Sequence, residues 1–234
     1  MTAMNDPAHV REQYASEANL RARQAIYANR EGPDAREVLF ETIRALRPRR
    51  VLEVGGGPGE LAERIARELG SRVDFVDISP RMVDLARARG IDAVVGDVQQ
   101  LPFEDATFDV AVAAWMLYHV ADLDRGLAEL RRVLVPGGRL VAVVNAESHL
   151  KELHELFPRR FETPITRENC PSLLGRHFAR VEQRDVDGWT SIPDREAVLA
   201  YVDSGFSIRD AERPPEFDLP FRVRYAATVF VATA

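Results

Sequence analysis

The chain alternates between two patterns of apolar residues, one with the spacing of strands and one with the spacing of helices. Residues 50–54 and 108–114 are short, nearly continuous apolar runs, as expected for strands buried on both faces. After the first run, apolar residues recur at helical spacing, at Leu61, Ile65, Ala66 and Leu69. Strands that alternate with helices in this way predict an α/β domain with a mostly parallel sheet.

A glycine-rich turn joins the first strand to the helix that follows it. Gly55, Gly57 and Gly59 lie in this turn, directly before the helical pattern begins. Glycine tolerates positive φ angles and lets a ligand approach the backbone, while the first turn of the helix offers unpaired N–H groups. The turn therefore predicts a site for a nucleotide-type cofactor. Residues 57–62 also fit the G-x-G-x-x-A form of the dinucleotide fingerprint.

Acidic residues end the first three predicted strands. Glu53 lies just before the glycines, where its negative charge suits an ammonium or a sulfonium better than a pyrophosphate. Asp77 ends the second strand, at the distance from the glycines at which an acid accepts hydrogen bonds from ribose hydroxyls. Asp97 ends the third strand. The three acids therefore favour a cofactor with both a cationic group and a ribose.

The string Glu53-x-Gly55-x-Gly57-x-Gly59 resembles the first motif of the class I S-adenosylmethionine (SAM) dependent methyltransferases. The segment after the fourth strand, residues 115–120, and the Leu-x-Pro-Gly-Gly sequence at residues 134–138 are similar to the equivalent segments of small-molecule members with a methyltransferase-11-like domain. The resemblance covers roughly residues 50–145 and joins five separated motifs in the same order. That combination is far more specific than any single motif.

The resemblance implies a Rossmann-like, doubly wound sheet of seven strands with helices on both faces and an antiparallel last strand. That last strand, residues 222–231, has an apolar alternation that suits an outer position. The resemblance also implies transfer of a methyl group from SAM, leaving S-adenosylhomocysteine (SAH), with Asp97 and Val98 near the adenine. The residues expected to contact the cofactor are Tyr14, Glu53, Gly55, Gly57, Gly59, Asp77, Ile78, Met82, Asp97, Val98, Ala114 and Trp115.

Two other functions remain open at this point. An NAD(P)-dependent oxidoreductase would share the glycine turn and the ribose acid, but Glu53 and the absence of a Tyr-x-x-x-Lys pair argue against it. A methyltransferase-like binding protein without catalysis is the second alternative, which the intact glycine motif disfavours. The favoured function is methylation of an oxygen, nitrogen or carbon atom of a small molecule, with natural-product intermediates among the candidates.

Composition narrows the range of partners. The 234 residues carry a net charge of −6 and no basic cluster interleaved with aromatic residues, which disfavours a nucleic-acid substrate. A lone cysteine, Cys170, indicates a reducing compartment, and no apolar run approaches the ~20 residues of a membrane span. The five histidines lack zinc-ligand spacing, so no metal is expected. We therefore expect a cytoplasmic monomer or homodimer that has no membrane partner.

The ends of the chain are expected to select the acceptor. Residues 1–45 predict a helical lid in which Tyr14 reaches the cofactor, and residues 46–234 predict the SAM-binding domain, with a helical insertion at about 147–178. His119 follows the carboxyl end of the fourth strand, where ligands bind in open α/β sheets, and is the candidate general base. A histidine that only packs or caps a helix fits the same position.

Overall fold

The computed structural model describes residues 4–157, 163–204 and 215–234, which build an eight-stranded sheet between two layers of helices. The strands are β1 Arg30–Glu31, β2 Arg50–Val54, β3 Arg72–Asp77, β4 Asp92–Val95, β5 Phe108–Ala114, β6 Leu134–Asn145, β7 Arg180–Ile192 and β8 Phe221–Thr233. The helices are α1 Pro7–Gln13, α2 Ala18–Ala25, α3 Ala35–Leu46, α4 Glu60–Leu69, α5 Pro80–Ala88, α6 Leu123–Val133, α7 Lys151–Leu156, α8 Cys170–Leu174 and α9 Arg195–Asp203.

The order of strands confirms the predicted doubly wound architecture. Across the sheet the order is β1-β7-β8-β6-β5-β2-β3-β4, and the five strands from β6 to β4 are parallel neighbours. The chain builds outward from β2 through β3 to β4, then crosses back to β5 on the other side of β2. This reversal opens a crevice at the carboxyl ends of β2 and β5, which is where ligands bind in such sheets.

The described sheet differs from the prediction in two strands. The short strand β1 pairs antiparallel with the end of β7 and brings the number of strands to eight. Both of its residues are charged and exposed, so no alternation of apolar residues predicts a strand at this position. The last strand, β8, is antiparallel as predicted, but the expectation of an outer position was wrong. It lies between β6 and β7, and residues 226–230 are buried on both of its faces.

The predicted lid boundary at residue 45 falls inside a helix that packs on the sheet. Val38, Leu39, Phe40 and Ile43 of α3 are buried in the same apolar cluster as Val51 of β2. The apolar stripe on α3 explains this, because such a stripe must be covered by another element. Only α1 and α2 therefore remain as the segment that lies over the crevice.

The predicted helical insertion at 147–178 contains two helices among its described residues. Leu153 of α7 joins a satellite apolar cluster, while Cys170 and Leu174 of α8 enter the main core. Pro171 stands in the first turn of α8, where its missing N–H costs nothing, so it is compatible with the start of this helix. Residues 158–162 of the insertion lie outside the described residues.

Candidate active site

A cavity of about 630 Å³ lies at the carboxyl edge of the sheet. Val54, Asp77, Ala114 and Asn145, which end β2, β3, β5 and β6, all line it. Side chains from α1, α2 and the loop after α2 line the opposite wall. The topological crevice is therefore a roofed cavity with the size of a small-molecule site.

The glycine turn has the backbone conformation that its sequence predicts. Gly55 and Gly57 have φ angles of 61° and 60°, and both line the cavity. The N–H of Gly55 donates to the carbonyl oxygen of Val76 at 2.8 Å, which ties the turn to β3. A Cβ at Gly57 would meet only Leu20, at 3.5 Å. Glycine is therefore favoured at Gly57 because φ is positive and because a ligand can approach the backbone, and not because a side chain would be crowded.

Gly59 has a different role from the one expected. It does not line the cavity, and a Cβ built on it would lie 2.8 Å from the Cβ of Ala86 in α5. With a φ of 78° it precedes α4 as the cap residue. Its lack of a side chain therefore lets α4 approach α5, and the structure does not bring it to the cofactor site.

Glu53 lies directly beneath the glycine turn. It is 2% exposed, and a Cβ at Gly56 would come within 2.4 Å of its carboxyl carbon. Burial raises the pKa of Glu53 to about 8, although the Ala62 N–H acts in the opposite direction. Its buried Oε2 has no hydrogen-bond partner among the described residues. A buried acceptor without a donor is costly, so this oxygen fits a cationic or hydrogen-bonding ligand group.

Asp77 is held at the mouth of the same turn. Its Oδ1 accepts the Ser79 N–H at 2.8 Å, and Ser79 in turn caps α5. Burial raises the pKa of Asp77 to about 6, while backbone N–H groups of Ser79 and Gly57 counteract that effect. The carboxylate is thus fixed next to Gly57, ionised near neutral pH, and able to accept further hydrogen bonds.

The predicted adenine residues lie at the β4 end of the cavity. Asp97 accepts hydrogen bonds from the Gln99 backbone N–H at 2.9 Å and from its side-chain amide at 2.8 and 3.0 Å, so its orientation is fixed. Val98 is buried beside it and also lines the cavity. Ile78 lines the cavity too, whereas Met82 does not. Met82 is fully buried in the first turn of α5.

The N-terminal segment fastens onto the loops around the cavity. The Tyr14 carbonyl accepts the Ser79 hydroxyl at 2.9 Å, and the Tyr14 hydroxyl lies 3.2 Å from Nε2 of His119. Nδ1 of His119 lies 3.3 Å from the Met4 carbonyl oxygen, which can only accept. Nδ1 therefore carries the proton, and Nε2 accepts from Tyr14. Burial lowers the pKa of His119 to about 3, so the ring is neutral and weakly basic.

Trp115 stands in the middle of the cavity wall. It follows Ala114 at the end of β5, has a φ of 53°, and donates its indole N–H to Oδ1 of Asn145 at 3.1 Å. Both Ala114 and Trp115 line the cavity, and their contact with the cofactor stays a prediction. A positive φ at a tryptophan is strained and is tolerated where surrounding contacts fix it.

The sequence reasoning missed the residues at the far end of the cavity. Tyr27, His149 and Tyr225 line it there, while Arg23, also missed, lines the cavity beside Tyr14. His149 follows the fifth predicted strand just as His119 follows the fourth, and that parallel was the available signal. Tyr27 and Tyr225 carried no signal, because their meeting depends on the interior position of β8.

The described part of the chain contains neither a candidate metal site nor a membrane-spanning helix. Within residues 4–157, 163–204 and 215–234, no group of three His, Cys, Asp or Glu side chains could hold a metal ion. No helix in the same ranges is long and apolar enough to cross a membrane.

Comparison with known proteins agrees with the motifs. Residues 52–142 match the family described as methyltransferase domain. A demethylmenaquinone methyltransferase of Deinococcus radiodurans is 43% identical over 40% of this chain and 42% of its own length. An uncharacterized methyltransferase of Mycobacterium tuberculosis is 33% identical over 67% of this chain and 64% of its own. The cyclase SpnF, of known structure, aligns with a TM-score of 0.66 and 20% identity over 99% of this chain and 97% of its own.

Residues 52–142 are therefore a methyltransferase domain, and the predicted membership of the class I SAM-dependent methyltransferases is confirmed for this part of the chain. The matched segments span only 42% to 48% of the length of the first curated relatives. Likeness to SpnF shows the fold alone, since a cyclase shares it. The activity of the whole chain must therefore be argued from its own cavity.

Proposed function

We propose that this protein transfers a methyl group from SAM to an oxygen, nitrogen or carbon atom of a small-molecule acceptor. The observation that carries the proposal is the pairing of Glu53 and Asp77 around Gly57 in one cavity. A buried carboxyl with a partnerless oxygen suits the cofactor's ammonium, and an oriented carboxylate suits its ribose. The Deinococcus relative's name concerns demethylmenaquinone, which supports a small-molecule acceptor for this chain.

When bound, SAM supplies a methyl group on a positively charged sulfur. The chain's contribution is to hold the acceptor in line with that methyl at about 3 Å and to exclude water. Tyr14, Tyr118 and Trp115 wall the middle of the cavity and supply that exclusion. No carboxylate needs to approach the sulfur, because its charge disappears in the transition state. Catalysis therefore rests on positioning.

His119 remains the proposed base only for hydroxyl acceptors, which must lose a proton. Its Nε2 accepts a hydrogen bond from the Tyr14 hydroxyl, so proton transfer to His119 would run through Tyr14. The low pKa of about 3 limits its strength as a base. Amine or enol acceptors need little help of this kind.

The cytoplasmic location of the protein and its monomeric or dimeric state also stay predictions.

The first test is binding, since an NAD(P)-dependent oxidoreductase would share the glycine turn. SAH should raise the melting temperature of the protein, whereas NAD at the same concentration should leave it unchanged. Incubation with SAM and a panel of phenols, amines and carboxylic acids should then release SAH with at least one acceptor. Stabilisation by NAD alone would reverse the assignment, and SAH binding without turnover on any acceptor would favour a non-catalytic binding protein.

A further inference from the structure

The cavity contains a second tyrosine–histidine pair, formed by Tyr27 and His149. The Tyr27 hydroxyl lies 2.9 Å from Nε2 of His149, and their rings are tilted against each other at 6.2 Å. Tyr27 follows α2, while His149 lies between β6 and α7. The ring of Tyr27 also makes an edge contact with Tyr225 of β8 at 6.4 Å. Both members of the pair line the same cavity as the glycine turn.

The backbone of β8 determines which nitrogen of His149 carries the proton. The N–H of Ala226 donates to Nδ1 at 3.0 Å, so Nδ1 is the acceptor. In the neutral ring the proton must then be on Nε2, which donates to the Tyr27 oxygen. The Tyr27 hydroxyl can therefore donate its own hydrogen bond to a different acceptor.

The two pairs have opposite polarity. His119 accepts a hydrogen bond from the Tyr14 hydroxyl, whereas His149 donates a hydrogen bond to the Tyr27 oxygen. Burial raises the pKa of Tyr27 well above its usual value, so its hydroxyl stays protonated. Tyr27 is therefore a fixed donor, not a base.

The position of the pair separates it from the cofactor. Asp77 ends β3, and Tyr27 packs beside Tyr225 of β8, four strand spacings away in the sheet order. At ~4.8 Å per spacing, the two ends of the cavity are roughly 19 Å apart. Trp115 and Asn145 stand between them. The Tyr27 end is thus the part of the cavity that the ribose and the amino-acid portion of SAM do not need.

We propose that Tyr27 and His149 position the methyl acceptor, with His149 fixing the Tyr27 hydroxyl as a hydrogen-bond donor to an oxygen atom of that acceptor. The inference rests on the proposed methyl transfer for the identity of the ligand as an acceptor. Tyr27 contacts the acceptor, and His149 acts through Tyr27 as a positioning residue. An acceptor with a carbonyl or another hydrogen-bond-accepting oxygen next to a flat apolar ring fits the aromatic walls of Tyr27, Trp115 and Tyr225.

Two probes of nearly equal shape test this inference. Acetophenone has a carbonyl oxygen that ethylbenzene lacks, so the difference in their affinities reports a donor in the cavity. Both are titrated by NMR into the SAH-saturated protein. We expect acetophenone to bind more tightly than ethylbenzene, by about tenfold, the size of one neutral hydrogen bond. Tyr27→Phe and His149→Ala should abolish that preference.

His177→Ala is the matched control for His149→Ala, because His177 does not line the cavity and its Nε2 pairs with Asp124 at 2.8 Å. It should keep the preference for acetophenone. A merely structural role of His149 would weaken both probes equally in His149→Ala and leave their ratio unchanged. Equal affinities in the wild-type protein, or a preference that survives Tyr27→Phe, would overturn the inference. SAH binding to the wild-type protein is measured separately, so its failure would refute the proposed function without deciding the role of Tyr27.

Discussion

Tyr14 and His119, which are 105 residues apart in the sequence, are joined by a hydrogen bond of 3.2 Å between the tyrosine hydroxyl and Nε2 of the ring. The bond fastens the N-terminal segment to the loop after β5. A second bond, from the Ser79 hydroxyl to the Tyr14 carbonyl at 2.9 Å, fastens it to the loop after β3. Residues 4–14 are therefore held against the loops after β3 and β5, and their function as a lid stays a prediction.

Removal of the Tyr14 hydroxyl should loosen this attachment. We predict that Tyr14→Phe speeds SAH dissociation by about three- to tenfold, since one neutral hydrogen bond contributes roughly 0.5–1.5 kcal/mol. Stopped-flow displacement of SAH measures the rate. Tyr225→Phe, at the other end of the cavity, should dissociate like the wild-type protein. Equal rates for Tyr14→Phe and the wild type would show that the attachment does not control exchange.

The low pKa of His119 predicts a pH dependence of stability. The unfolded ring titrates near 6.5 and the folded ring near 3, so between these values the unfolded state binds more protons. The free energy of unfolding should therefore fall as the pH drops below 6.5. By pH 5 the loss attributable to His119 should be about 1–2 kcal/mol, reduced by the partial exposure of the ring. Urea unfolding of His119→Gln should show a correspondingly flatter decline between pH 7 and 5; parallel curves would contradict the assignment.

The raised pKa of Glu53 predicts that this carboxyl releases a proton when the cofactor binds. With a pKa of about 8, the folded Glu53 is mostly protonated at pH 7. An ammonium beside it favours the charged form, so its pKa should fall and most of one proton should leave. Calorimetric titration with SAH in buffers of different ionisation enthalpy measures this release. Glu53→Gln should abolish it, and an unchanged release in that variant would place the ammonium elsewhere.

Gly57 and Gly59 should respond differently to the same substitution. Gly57→Val should abolish SAH binding with a modest loss of stability, because space exists there but the φ is positive. Gly59→Val should lower the free energy of unfolding by more, about 3 kcal/mol or above, since its side chain meets Ala86. Chemical unfolding and calorimetry of both variants separate the effects. A Gly57→Val protein that binds SAH like the wild type would remove the turn from the site.

Local motifs made much of the cofactor end predictable. Glu53, the glycine turn and Asp77 lie next to strand ends that the apolar pattern reveals, and parallel strands bring those ends to one edge. Gly59 shows the limit of this reasoning. Its spacing matches the motif, but glycine is required there because a side chain would collide with Ala86. That close contact depends on how α4 and α5 pack.

The far end of the cavity could not be predicted in the same way. The alternation of β8 fits an edge strand as well as a central one, and only its insertion between β6 and β7 brings Ala226 to His149. Tyr27 lies in a charged N-terminal segment without strong periodicity. Contacts between such distant segments follow from topology, which single-residue spacing does not encode.

The most direct test of the whole account is calorimetric titration of SAH into the wild-type protein, Asp77→Asn and Asp84→Asn. Asp84 is an exposed acid of α5 outside the cavity, so its variant should bind SAH like the wild type. Asp77→Asn keeps the shape but loses the charge that should accept the ribose hydroxyls, and it should bind more weakly by about 1.5–3 kcal/mol with its fold intact. Unchanged SAH affinity in Asp77→Asn, or no SAH binding by the wild type, would contradict a SAM site at this cavity.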